Sequence, residues 1–179
     1  MPAVRSLKAR ALHWLAQREQ SRVELRRKLL RQVRAELASS AEPDDAREAG
    51  EEGVAEQVDA VLEWLESNGY LSAERFVESR VNARAARYGN LRIRMELQQH
   101  QLGLSGELAQ TLGANEVERA RAVRARRFAE LPCDAAERAR QARFLIGRGF
   151  SSDAVRAALR EQSATDGAHD DSKITASGA

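Results

Sequence analysis

The sequence predicts an all-α fold arranged as three tandem three-helix repeats in an elongated, curved array, and three observations predict it. Ala, Leu, Arg and Glu, all good helix formers, dominate a chain of 179 residues in which aromatics are only 4%. The three prolines, Pro2, Pro43 and Pro132, fall outside every strong helical pattern. A short device also recurs three times: Gly, a large apolar residue, Ser, and a new helical start. It reads Asn68-Gly69-Tyr70-Leu71-Ser72, Leu102-Gly103-Leu104-Ser105 and Arg148-Gly149-Phe150-Ser151. Gly suits the left-handed position that closes a helix, the apolar residue folds back on the last turn, and Ser caps the next helix.

Each element follows from spacing. A first helix is expected from about Val4 to Arg18, with Val4, Leu7, Ala11, Trp14 and Leu15 on one stripe. Ser21 and Glu24 have capping-box spacing and open a second, carrying Leu25, Leu29, Leu30 and Val33. Residues 38–53 hold almost no large apolar side chain and are expected to be a mobile acidic loop. A third helix carries Val54, Val58, Val61, Leu62 and Leu65 and ends near Gly69. Ser72 starts a fourth, with Val77, Val81, Ala85 and Tyr88 inward, and Gly89-Asn90 breaks it. A fifth is expected over about 91–101 and a sixth from Ser105 to about Leu112. A seventh carries Val117, Ala120, Phe128 and Leu131 and stops at Pro132. Asp134 and Glu137 repeat the capping-box spacing before an eighth with Ala142, Leu145 and Ile146, and Ser151-Ser152 opens a ninth. A shift of 46 residues lays Gly103-Leu104-Ser105 on Gly149-Phe150-Ser151. The expected units are 4–71 with its insertion, 72–113 and 114–162, followed by a disordered tail over 163–179. A unit of about 50 residues buries too little surface to stand alone, so neighbours should pack together.

Charge is segregated. The formal net charge is +2, yet residues 1–37 carry +7, residues 38–74 carry −10, and residues 75–100 and 114–150 carry +4 each. Basic blocks of this kind suit an anionic partner, nucleic acid or acidic protein, although solvated helix surface gives the same pattern. No apolar run reaches membrane-spanning length, and no secretion signal opens the chain, so a cytoplasmic location is expected. Cys133 is the single cysteine and is expected as a free thiol.

Enzymatic chemistry finds little support. His13, His100 and His169 are dispersed, with no metal-ligand spacing and no nucleophile–base pairing. His13, beside Trp14, is expected to be partly buried. Neither a cofactor nor a metal is expected. The arginines are the better lead. Arg80, Arg84 and Arg87 share a helix face, and Arg92 and Arg94 follow the Gly89 turn. A second choice is Arg126, Arg127, Arg140, Arg143 and Arg148. Planar guanidinium groups match phosphates and carboxylates. Glu78, Glu96, Glu118 and Glu137 should neutralise some of them, but not all. Tyr88 and Phe128 lie among these arginines and suit either base stacking or the core. Residues 144–156 have the form of a helix-turn-helix, but the second helix offers only Asp153, Arg156 and Arg160 as base readers.

In order and spacing, several pieces resemble the RecX family, the small regulators of RecA recombinase. They are Ser21 to Leu25 with Lys28-Leu29, Leu62 to Leu65, Asn68 to Ser72 with Arg75-Phe76, Tyr88-Gly89 and Arg92 to Leu97. Leu102 to Ser105, Arg127-Phe128 and Arg143 to Ser151 complete the set, which spans roughly Leu7 to Leu159. Family members are similar in being three tandem three-helix repeats. The resemblance implies a non-enzymatic modulator that binds RecA and the RecA–DNA filament. It would restrain filament extension, ATP hydrolysis, strand exchange and coprotease activity in the regulation of DNA repair and the SOS response. It would act as a monomer, and the ten arginines above would meet acidic groups of the filament or DNA phosphates. The insertion at 38–53 departs from the family, whose second helix passes quickly into the third. Two other readings suit the residues: a direct DNA binder using the last two helices, and a helical adaptor for another acidic protein.

Overall fold

A computed structural model describes residues 6–39 and 44–160, with side chains for 6–36 and 53–160. The described residues form nine helices and no strand: α1 Leu7–Gln17, α2 Arg22–Ser39, α3 Asp44–Ser67, α4 Ala73–Ala85, α5 Asn90–Gln98, α6 Gly106–Ala114, α7 Glu116–Ala125, α8 Ala135–Gly147 and α9 Ser152–Ala158. The fold is all-α, as expected. Buried apolar side chains separate into three clusters, each drawn from three successive helices. Ala11, Leu25, Leu29, Val58, Leu62 and Leu65 form the first, with Trp14 and Trp64 at its edge. Phe76, Val81, Ile93, Leu97 and Leu112 form the second, and Ala120, Val123, Leu145, Phe150, Val155 and Leu159 the third.

The caps explain where helices begin. The Ser6, Ser21, Ser72, Ser105 and Ser151 hydroxyls each accept the backbone N–H three residues on, and the Asp134 carboxylate accepts that of Glu137 at 2.7 Å. The reciprocal half of the box is missing. Glu24 turns to Arg18, and Glu137 to Arg140 and Gln141.

The helix-closing device is also present three times, with a correction in the middle copy. Gly69 and Gly149 adopt φ of +71° and +82°. The third left-handed residue is Gln101, at +60°, and not Gly103. The hydrogen bonds fix this equivalence. Tyr70, Leu102 and Phe150 N–H reach back five residues to Leu65, Leu97 and Leu145, while Gly69, Gln101 and Gly149 N–H reach back three. The shift of 46 residues therefore misaligns the last two copies. Gln101 matches Gly149, and two, three and one residues separate the left-handed position from the capping Ser72, Ser105 and Ser151.

Three further expectations are corrected. Residues 44–53 are helical and belong to α3, not to a loop. Asp44 and Asp45 favour a helix N-terminus, and Ala and Glu carry the helix without an apolar stripe. The rest of the insertion that is described, up to Ser39, ends α2. α7 stops at Ala125 rather than Pro132, because the Arg127 and Phe128 N–H both turn back to the Arg124 carbonyl. The following segment is then held by Arg124 and Gln141, which donate to the Glu130 carbonyl at 3.0 and 3.1 Å. His13 is exposed, at hydrogen-bond distance from Gln17. Val4 and the tail 163–179 lie outside the described residues.

Two junctions join the clusters. At the first, His100 Nδ1 meets the Ser21 hydroxyl at 2.7 Å, and its ring stands edge-on to Phe76 at 4.9 Å. Arg75 adds an ion pair to Glu19 at 2.8 Å and donates to the Gly69 and Tyr70 carbonyls. Burial, then the nearby Arg80 and Arg27 guanidinium groups, hold the His100 pKa below its ordinary 6.5, while Glu24 and Glu96 pull the other way. The unfolded chain then binds the proton more readily, so His100 stabilises the fold least at low pH. Its contribution is intact above about pH 6.5 and falls as pH drops below that value. The loss of melting temperature between about pH 7.5 and about pH 5.5 should be smaller in His100→Gln than in the parent. Equal losses would show that His100 does not carry this dependence.

The second junction is tighter. The Gly89 N–H donates to the Arg148 carbonyl and the Leu91 N–H to the Gly149 carbonyl, both at 3.0 Å. A Cβ on Gly89 would stand 2.2 Å from Gly149 O and from Phe150 N. Beneath this contact the buried Glu116 carboxylate accepts from Asn90 N–H at 2.9 Å and the Ser151 hydroxyl at 2.7 Å. Arg119 donates to the Ala85, Tyr88 and Leu112 carbonyls and to Asn90 Oδ1. Burial lowers the Arg119 pKa, with Glu116 opposing.

Candidate partner interface

The Gly89–Gly149 contact brings together the two arginine groups that the sequence keeps apart. Tyr88, three residues past the end of α4, is half-buried against the second core. The guanidinium groups of Arg92, Arg148 and Arg84 lie 4.9, 5.7 and 5.8 Å from its ring centre. Arg148 also lies 5.0 Å from the Phe144 ring and donates to the Arg87 carbonyl at 3.3 Å. Arg126 donates to the Ala86 carbonyl at 3.1 Å. The segments just past the ends of α4 and α7 and the face of α8 thereby enclose a cleft of about 340 Å³ whose wall includes Arg87, Arg126, Arg127 and Arg148 and, among the described residues, no carboxylate.

The ten arginines divide by their partners. Glu96 receives Arg84 through Nε and Nη2 at 3.0 Å, and Arg80 at 3.3 Å. Those hydrogen bonds hold Arg84 more firmly protonated than a free guanidinium. Arg80 is further covered by Phe76, at 5.1 Å. Arg140 pairs with Glu137 at 3.0 Å and lies over Phe128. These three are largely satisfied within the chain. Arg94, Arg127 and Arg143 are exposed, and neither they nor the Arg87 side chain makes an ion pair or hydrogen bond among the described residues. Among the described residues, Arg92, Arg126 and Arg148 are committed only to aromatic faces or backbone carbonyls, which do not compensate their positive charge. The surface available to an anion is therefore Arg87, Arg92, Arg126, Arg127 and Arg148 around the second junction, with Arg94 and Arg143 outside it.

Phe128 meets Phe144 edge-on at 5.4 Å, so both aromatic candidates have packing roles. In α9 the exposed Asp153 and Arg156 pair with each other, and Ala154, Val155 and Ala158 are buried. Sequence reasoning missed Arg119, Glu116 and Asn90, which position the cleft. Their signal was faint: a Glu at the start of a helix that also carries three arginines. Among the described residues no three His, Cys, Asp or Glu side chains come together as a metal site would require, and no helix is long and apolar enough to cross a membrane.

Comparison with known proteins agrees with the local reading. Residues 114–159 match the family model described as RecX, third three-helix domain. Across the longer chain, similarity extends to regulatory protein RecX of Ralstonia pickettii (strain 12J), at 45% identity over 152 residues, covering 84% of each chain. The regulatory protein RecX of Ralstonia nicotianae is 48% identical over 148 residues, 82% of this chain and 81% of its own. That of Herbaspirillum seropedicae is 46% identical over 159 residues, 87% and 90% of the two chains.

Proposed function

The chain belongs to the RecX family of regulatory proteins, and from that premise we propose that it is a non-enzymatic inhibitor of RecA recombinase. It binds RecA and the RecA–DNA filament and restrains filament extension, ATP hydrolysis, strand exchange and coprotease activity, within the cytoplasmic control of DNA repair and the SOS response. The chain is built of three modules, 4–71, 72–113 and 114–162, of which the second and third carry the surface, and the protein acts as a monomer.

The observation that supports this reading is the cleft where Arg87, Arg126, Arg127 and Arg148 converge with no carboxylate among the described residues that line it. Like charges gathered this closely cost stability unless an anion meets them, and a filament carrying DNA supplies phosphates at regular spacing. A sequence-reading helix-turn-helix fits less well. The turn between α8 and α9 is occupied by Gly89 and Arg92, and the exposed charges of α9 neutralise each other.

Sub-stoichiometric protein should suppress RecA ATP hydrolysis on single-stranded DNA. No suppression at any ratio or salt concentration would end this reading. Replacing Arg87, Arg126 and Arg127 together by Ala should weaken binding to single-stranded DNA and reduce the slope of log K against log salt by about 2, as expected for three lost phosphate contacts. An unchanged slope would move the contact elsewhere.

A further inference from the structure

Next to the cationic cleft lies a second depression of different character. It is an open groove of about 570 Å³ between α5 and α8. Leu91, Met95 and Ile146 line it and are 52%, 62% and 56% exposed. With Tyr70 they make up the exposed large apolar side chains among the described residues. Leu91 and Met95 stand four residues apart on one face of α5, and Ile146 faces them from the last turn of α8. Three such side chains converging on one groove is a different matter from a lone exposed Leu, because together they offer a contiguous surface that water covers at a cost.

The rim is charged. Arg84 and Arg92 border the groove, and Glu96 is the one carboxylate among the described residues in its wall. Glu96 is already engaged by Arg80 and Arg84. Arg92 has the Tyr88 face and, among the described residues, no counter-ion. The groove therefore combines an apolar floor with surplus positive charge. A nucleic-acid backbone would gain from the rim but bring nothing for the Leu, Met and Ile side chains, which are not planar and do not stack on bases as aromatic platforms do. A protein segment with one or two large apolar side chains between carboxylates complements both features. Met suits such a contact because it adapts its shape to the side chain it meets.

We infer that the groove of Leu91, Met95 and Ile146 is the protein-docking half of this surface, and that it takes an acidic segment of RecA anchored by apolar side chains. The inference rests on the RecA reading above and divides the surface in two: groove for protein, neighbouring cleft for phosphate. Tyr88 lines the groove and Arg148 lines the cleft, and the Arg148 guanidinium lies 5.7 Å from the Tyr88 ring centre, so this pair stands between the two halves.

The test uses the full chain with Leu91→Ser, Met95→Ser and Ile146→Ser combined. All three side chains are more than half exposed, so the fold should be retained, as circular dichroism would verify. Met95→Ser alone serves if the triple variant does not fold. Binding is measured separately to DNA-free RecA and to a short oligothymidylate. The expected result is at least about a tenfold loss of RecA affinity for the triple variant, with oligothymidylate affinity unchanged. Arg92→Glu should likewise weaken RecA binding. Equal RecA binding by parent and folded variant would overturn the groove assignment and leave the RecA reading standing. A loss of oligothymidylate binding instead would make the groove a nucleic-acid site and overturn it too. A concentration-dependent mass that the variant abolishes would assign the groove to a second copy of the chain, with the same consequence. If the parent binds no RecA, both this inference and the function it rests on fall.

Discussion

Gly89→Ala should lower the stability of the fold by about 3 kcal/mol, a large effect for one methyl group. Gly89 has φ of −78° and ψ of 170°, a conformation open to any residue, so no backbone freedom is lost. The cost is entirely steric. The new Cβ would meet Gly149 O and Phe150 N at 2.2 Å, backbone atoms that cannot rotate aside. Relief requires α8 and α9 to move away from α4 and α5, which breaks the two backbone hydrogen bonds across the junction. Since Arg87 and Arg126 come from opposite sides of it and Arg148 is part of it, the same substitution should weaken oligonucleotide binding. A urea titration measures the first effect and fluorescence anisotropy the second. A Gly89→Ala protein with the parental unfolding midpoint would mean that the junction is looser than described.

The second large effect is expected at Glu116. Removing its carboxylate in Glu116→Ala leaves the Asn90 N–H and the Ser151 hydroxyl without their acceptor in a buried site. It also deprives Arg119 of a carboxylate that offsets its burial. Buried donors left unpaired cost about 1–3 kcal/mol each, so a total of about 3 kcal/mol is expected after relaxation. Ser151→Ala removes one of the same hydrogen bonds. The double variant should therefore lose less than the two single losses added together, by about 1 kcal/mol. Strict additivity in urea unfolding would show that the Glu116–Ser151 bond contributes nothing.

The legible parts of the fold were local. The capping residues Ser21, Ser72, Ser105, Asp134 and Ser151 act within three residues of themselves, so spacing alone identifies them. The stripes that fill each core were equally readable, since helical period follows from neighbours in sequence. Gln101 was not readable, because nothing in its side chain advertises a left-handed backbone. The nearby Gly103 drew attention to the wrong position. Residues 44–53 misled for the opposite reason. A lack of apolar side chains says what a segment cannot bury, not whether its backbone coils. The run of α7 to Pro132 failed because Phe128 and Leu131 fit the period by chance, while the backbone had already turned at Arg124.

The site divided along the same line. All ten arginines could be picked out by type and clustering, yet their partners could not. That Arg80 and Arg84 are claimed by Glu96 and Arg140 by Glu137, while Arg87 and Arg127 have no side-chain partner among the described residues, depends on which helix faces meet. The convergence of Arg87 with Arg126 and Arg148 depends on two glycines 60 positions apart touching through bare backbone. No periodicity encodes that contact. Leu91, Met95 and Ile146 carried a misleading signal as well, since large apolar residues in helices read as core.

Both tryptophans, Trp14 and Trp64, border the first core. Intrinsic emission excited at the indole band is thus a gauge fixed to one end of the molecule, blind to events around α8 and α9. Far-ultraviolet ellipticity sums every helix. Heating the protein while following both signals turns this uneven placement of chromophores into a ruler for cooperativity: coincident curves mean that the ends melt as one body, and a gap between them measures how independently each end comes apart.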